Sequence, residues 1–218
     1  MDLVKAITLC EVGPRDGLQS EKTLLTTEQK VELINDMTAA GFRVIEVGSF
    51  VNPKAVPQMA DTDDVFTRIA KAPDVEYRAL IANLRGVRRA AGCGCRKVKL
   101  NVSASTAHNL ANLNCTPSES VAGFKSCVEE AQNCNIAVSG SISMAFGSPW
   151  DKEIPIGDVK KVVEAYLAAG VTEISLSDAA GVAYPSQVFD MGKEMLQEYP
   201  QVKWWLHFHN TRGLGIAN

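Results

Sequence analysis

Arg15 and Asp16 stand side by side between Gly13-Pro14 and Gly17, with Gln19 three residues on. Near the other end of the chain, Leu206-His207-Phe208-His209-Asn210 separates two imidazoles by one residue. On a strand, positions i and i+2 share a face, so His207 and His209 would point the same way. One carboxylate and two imidazoles make a mixed oxygen and nitrogen donor set for Mg²⁺, Mn²⁺ or Zn²⁺ acting on a substrate oxygen. Oxygen-rich surroundings favour the first two. An arginine beside such a set suits a developing oxyanion. Two further acids, Glu46 and Asp178, lie in or just after apolar runs, where a charge needs a partner. They could orient Arg15 or support the ligands. Taken alone, the Arg-Asp turn fits a helix cap equally well, and His-x-His fits one core and one loop histidine.

These residues fall at the ends of a regular alternation. Apolar runs at 6–12, 44–50, 77–82, 98–102, 136–144, 173–176 and 202–208 read as strands. Helical patterns with capping residues fall between them: 26–40, 61–70, 84–91, 116–134, 156–169 and 185–199. Residues 103–115, rich in Ser and Asn, read as a loop, and 211–218 as the start of a seventh helix. A strand-helix repeat of this kind predicts an α/β chain of the (β/α)8 TIM-barrel class, with about seven βα units present and the last missing. It is expected to form one catalytic domain over 1–218, incomplete at its C-terminus. In such a barrel the strand ends carrying Arg15, Asp16, Glu46, Asp178, His207 and His209 meet at one mouth. An open doubly wound sheet is the competing topology, but no Gly-x-Gly-x-x-Gly or Gly-x4-Gly-Lys-Ser/Thr follows any strand.

Composition narrows the partners. The 218 residues are 46% apolar and 22% charged, with 22 basic against 25 acidic residues and a net charge of −3, which argues against a nucleic-acid surface. Arg85, Arg88, Arg89, Arg96, Lys97 and Lys99 form a local basic patch, expected to be a solvated surface or a contact for an anionic handle. No apolar run is long enough to span a bilayer, and Met1-Asp2 opens no signal peptide, so a cytoplasmic protein without membrane contact is expected. Six cysteines without a Cys-x-x-Cys pair are expected to be reduced core thiols.

Glu11-Val12-Gly13-Pro14-Arg15-Asp16-Gly17-Leu18-Gln19, together with His207-x-His209, resembles the metal-dependent lyase/aldolase barrels, and among them the 3-hydroxy-3-methylglutaryl-CoA lyases. Further matches are Val44-Ile45-Glu46, Ser49-Phe50-Val51, Pro53-Lys54, Val56-Pro57-Gln58-Met59, Ala82-Asn83-Leu84 and Glu173-Ile174-Ser175-Leu176. The resemblance implies Asp16, His207 and His209 as metal ligands for Mg²⁺ or Mn²⁺, and Arg15 as the catalytic arginine. It implies Asp16 and His207 as proton-handling groups, Glu46 and Asp178 as supporting acids, and Gln19, Ser49 and Ser175, with Arg15, as substrate-pocket residues. The implied reaction is retro-Claisen cleavage of 3-hydroxy-3-methylglutaryl-CoA to acetyl-CoA and acetoacetate, a step of leucine degradation and ketone-body formation, in a possible homodimer. There are departures. The family's glycine-rich loop with a catalytic cysteine, and a later asparagine ligand, would follow Asn218. Ala179 stands where the animal enzymes carry threonine, and Asn210-Thr211-Arg212 replaces Asp-Thr-Tyr. These changes resemble a bacterial branch and leave other readings open. One is a lyase acting on citramalyl-CoA or a longer-branched 3-hydroxyglutaryl-CoA, with Ala179, Ser141 and His108 shaping the pocket. Another is an inactive metal-binding fragment.

Overall fold

The computed structural model describes residues 6–218; Met1 and Asp2, read above for a leader, lie outside them. Among the described residues there are seven strands: β1 (Cys10–Glu11), β2 (Val44–Ser49), β3 (Glu76–Ile81), β4 (Lys97–Ser103), β5 (Ala137–Ser143), β6 (Glu173–Asp178) and β7 (Lys203–Phe208). Their order in the sheet is their order in the chain. β1, β2 and β3 pair in parallel, as do β5, β6 and β7. Parallel neighbours require a crossover, and helices supply it: α1 (Thr27–Ala39), α2 (Thr62–Arg68), α3 (Leu84–Gly92), α4 (Thr106–Leu113), α5 (Pro117–Ala122), α6 (Phe124–Asn133), α7 (Ile156–Ala168) and α8 (Pro185–Glu198). This is the α/β topology of a (β/α)8 barrel with seven strands, the last of which has no helix after it among the described residues. The chain forms two compact units, one running to Lys99 and including Glu130–Ala137, the other Leu100–Glu129 with Val138–Asn218.

In the first unit, α1 opens on a reciprocal cap: Thr26 accepts the Gln29 amide and Gln29 accepts the Thr26 amide. Ile34 fixes the helix against the core and Gly41, at φ +96°, turns the chain out of it. β2 is buried along its whole length. Its register to β3 shifts between Glu46 and Gly48, so Val47 is an extra residue: Glu46 aligns with Arg78, yet Ser49 aligns with Leu80. Thr62 braces this bulge, receiving the Ser49 amide at 3.3 Å and donating to the Met59 carbonyl at 2.9 Å.

The second unit is built around Tyr166. Its hydroxyl lies 2.7 Å from the Leu100 carbonyl and receives the Ser141 amide at 3.3 Å, while Phe124 stacks on its ring at 4.3 Å. Gly140 must lack a side chain, because a Cβ would stand 2.9 Å from that ring. In β6 the alternation is sharp: Ile174 and Leu176 fill the core on one face and Ser175 and Ser177 occupy the other.

Four expectations are corrected. The first strand is a two-residue ladder rather than 6–12, with Ile7 73% and Leu9 63% exposed, because β1 ends the strand order and pairs with β2 alone. Residues 103–115 contain α4, capped by Ser105 and tied down by buried Asn109, which accepts the Ser103 amide at 2.9 Å and donates to the Cys115 carbonyl at 2.8 Å. The single helix expected over 116–134 is two, divided at Gly123, a poor helix former. Residues 211–218 form turns, not a helix.

Candidate active site

The Arg15-Asp16 turn is closed on one atom. The Val12 carbonyl accepts amides from Arg15 at 3.1 Å, Asp16 at 2.7 Å and Gly17 at 3.3 Å, which winds Gly13–Gly17 into a wide turn beyond β1. Pro14 suits the second place of that turn, since its fixed φ fits and it has no N–H to satisfy. The turn buries Arg15 to 7% exposure. Its Nε donates to Glu46 Oε1, and its Nη1 reaches Asp16 Oδ1 at 2.6 Å. Glu46 is fully buried, and Lys99 Nζ, itself 6% exposed, meets its other oxygen, Oε2. Burial pushes the Glu46 carboxyl up, but Arg15 and Lys99 outweigh it and hold it down to about 2. Burial likewise opposes the Arg15 charge, and Glu46 and Asp16 overcome it, so the guanidinium is held more firmly protonated than usual.

The bulge in β2 settles which residues share this face. Simple alternation would send Glu46 and Ser49 to opposite sides; the extra Val47 brings them to the same one. Ser49 is fully buried and its hydroxyl has no hydrogen-bond partner among the described residues. Gln19 is half-buried beyond the Arg15-Asp16 turn.

Among the described residues three cations, Lys30, Arg78 and Lys99, are buried without having been expected to be. Lys99 belongs to the interior ion cluster, not to a solvated patch, and Arg78, 3% exposed, donates its Nε to Glu76 at 2.6 Å. Of the expected solvated patch, Arg85, Arg88 and Arg96 are exposed, while Arg88 binds Glu130 at 2.8 Å and Arg89 binds Asp63. The available signal was the strand alternation, in which Lys97, Lys99 and Asn101 share one face and Val98, Leu100 and Val102 the other.

In the second unit, β6 and β7 run in register with Ser177 beside His207 and Asp178 beside Phe208. The rings of His207 and His209 lie 5.1 Å apart, centre to centre, at 56°. Asp178 is fully buried at the end of β6, inside the strand rather than after it. Its Oδ1 accepts the Val182 amide at 3.0 Å and its Oδ2 the Ala183 amide at 2.9 Å. Its backbone carbonyl accepts the His209 amide at 3.2 Å. Gly181, at φ +66°, packs on Thr211 so closely that a Cβ would overlap it. Asp178 thus fixes the turn that holds His209. Ser175 and Ser141 are buried neighbours in register on β6 and β5. His108 lies on α4 rather than in a loop, 5.7 Å from the Trp150 ring, with a buried Nδ1 that has no hydrogen-bond partner among the described residues; burial lowers its pKa.

A family model described as HMGL-like matches residues 6–218. The chain belongs to the HMGL-like family. Among HMGL-like relatives, it is 39% identical over 218 residues to hydroxymethylglutaryl-CoA lyase YngG of Bacillus subtilis, covering 100% of this chain and 73% of that one. It is 40% identical over 216 residues to the mitochondrial hydroxymethylglutaryl-CoA lyase of Macaca fascicularis, covering 99% of this chain and 66% of that one. It spans about two thirds of that mammalian protein's length. A solved HMG-CoA lyase from Acinetobacter baumannii, in complex with coenzyme A and 3-methylmalate, superposes with a TM-score of 0.93 at 42% identity, over 97% of this chain and 69% of that one. No helix among the described residues is long and apolar enough to cross a membrane.

Proposed function

We propose that this chain catalyses divalent-metal-dependent cleavage of 3-hydroxy-3-methylglutaryl-CoA to acetyl-CoA and acetoacetate, as a carbon-carbon lyase. The observation that carries the reading is the buried Arg15 guanidinium, held by Glu46 on one edge and by Asp16 on another, in a chain that matches HMG-CoA lyases over its whole length. Asp16, His207 and His209 are the residues to hold the metal; one carboxylate and two imidazoles fit a divalent cation. When bound, the cation supplies positive charge that makes a substrate hydroxyl easier to ionise.

The chain's own groups account for the remaining demands. The tertiary hydroxyl gives its proton to His207, with Asp16 as the alternative acceptor. The oxygen's electron pair forms the ketone of acetoacetate as the C2–C3 bond breaks, and the bond's electrons pass to the thioester as an enolate. Arg15 faces that oxygen with charge already fixed by its buried neighbours, a contribution typically worth about 3–4 kcal/mol for one such donor. C2 then takes a proton, the one released by the hydroxyl or one from solvent, to give acetyl-CoA. Ser49, Ser175 and Gln19 line the substrate site, and Glu46 and Asp178 keep Arg15 and His209 in place. A cytoplasmic homodimer working in leucine degradation is the setting this reading implies.

Acetyl-CoA release from 3-hydroxy-3-methylglutaryl-CoA with Mg²⁺ or Mn²⁺ tests it. Turnover that is abolished in Arg15→Ala and in Asp16→Ala supports the reading; a wild type without turnover, or near-normal turnover in either variant, overturns it. A second reading, a lyase for a related hydroxy-diacid thioester, is favoured by the 3-methylmalate bound to the Acinetobacter baumannii enzyme. The same assay across citramalyl-CoA and longer-branched 3-hydroxyglutaryl thioesters separates the two.

A further inference from the structure

We infer that Lys99 is a positioning residue that decides which edge of the Arg15 guanidinium is left for substrate. The inference rests on the lyase reading above for its kinetic consequence, and on geometry alone for its structural one. A carboxylate and a guanidinium left to themselves favour two parallel N–H···O bonds, one to each oxygen. Glu46 does not meet Arg15 that way. Only Nε donates to it, at Oε1, and Oε2 makes no hydrogen bond among the described residues but is in ion-pair contact with Lys99 Nζ. Because the second oxygen is occupied, Arg15 keeps its terminal nitrogens for other partners, and Nη1 turns to Asp16 at 2.6 Å.

Burying an ammonium for architecture alone is a poor choice. Its desolvation is costly, and an apolar side chain of similar volume is often neutral or better. Lys99 is 6% exposed, against a fully buried carboxylate, so its ion pair is formed away from water. The four side chains also balance: Arg15 and Lys99 against Glu46 and Asp16 sum to zero. Removing the ammonium leaves one negative charge in excess and frees Oε2 to draw a second nitrogen of Arg15 away from Asp16.

The test uses the full chain with Lys99→Met and Lys99→Arg, and with Lys99→Gln in place of the methionine variant if that one does not fold. Two readouts are taken. In nitrogen-15 resolved spectra of the arginine Nε–H groups, the Arg15 resonance is identified by its loss in Arg15→Lys. It should move in Lys99→Met and stay near its wild-type position in Lys99→Arg. In the thioester assay, kcat should fall about a hundredfold in Lys99→Met, the scale of a misplaced catalytic group. KM should change less than about threefold, since ground-state binding is not what is removed. A folded Lys99→Met with an unmoved Arg15 resonance, or with unchanged kcat, overturns the inference. A wild type that cleaves no thioester overturns the lyase reading instead, and the Arg15 resonance then decides on Lys99 by itself.

Discussion

The backbone carbonyl of Asp178 accepts the amide of His209 at 3.2 Å, while both oxygens of the same residue's carboxylate accept amides from Val182 and Ala183. The last residue of β6 therefore holds the backbone of a histidine that follows β7. An acid at that place works by posture. Replacing Asp178 by Asn puts an N–H₂ where an acceptor is needed and leaves one buried amide unmatched. The expected cost is about 1–3 kcal/mol in urea unfolding, the desolvation penalty of such a group. Mn²⁺ affinity should fall about tenfold or more, as when a supporting partner of a metal-bound histidine is lost. Unchanged stability and affinity in Asp178→Asn would show that the turn does not depend on the carboxylate.

Glu46 sets the acid limit of the first unit. Its folded pKa, about 2, lies below the ordinary 4.5, because Arg15 and Lys99 outweigh burial. A depressed carboxylate adds stability above its unfolded pKa and loses it as pH falls through the folded one. Stability should therefore decline between about pH 4.5 and pH 2. In Glu46→Gln that share of the decline should vanish while stability at neutral pH drops about 3–5 kcal/mol, the cost of leaving buried charges without their partner. Chemical denaturation across that pH range measures both. A Glu46→Gln protein with the wild-type acid profile would contradict the ion cluster.

The bulge in β2 depends on Gly48. A Cβ there would lie 2.6 Å from Thr62 Oγ1 and 2.8 Å from its Cγ2. Gly48→Ala should destabilise by about 1–3 kcal/mol, the range for overpacking a tight site. Because Ser49 shares a face with Glu46 only through this bulge, KM for thioester should also rise. Thr62→Ser removes the methyl that is crowded, so Gly48→Ala with Thr62→Ser should recover part of the stability, read as a shift in Tm.

Much of this was legible in the residues before any coordinates. The alternation of apolar runs with capped helices fixed the topology, since each signal was local: Thr26 with Gln29, Thr116 with Glu119, Gly41 after its helix. The partner of Arg15 was legible too, because an acid in the apolar run 44–50 has to be neutralised. What was not legible depends on contacts between distant segments. The placement of Ser49 on the Glu46 face comes from a register shift that no count by twos reveals. Lys99 read as surface because its neighbours Arg96 and Lys97 made a charged run; only the strand alternation turns it inward. α4 read as a loop because Ser and Asn are weak helix formers, and it forms because Asn109 is anchored by Ser103, Cys115 and Ser120.

Everything proposed for the reaction hangs on a shared cation. Mn²⁺ titration calorimetry on the wild type and on Asp16→Ala, His207→Ala and His209→Ala tests it without reference to turnover. The wild type should bind one ion per chain, and each variant should lose at least about tenfold in affinity with its fold intact, as expected when a ligand of a mixed nitrogen and oxygen site is removed. Equal affinity and stoichiometry in all four proteins would contradict the site and the lyase assignment with it.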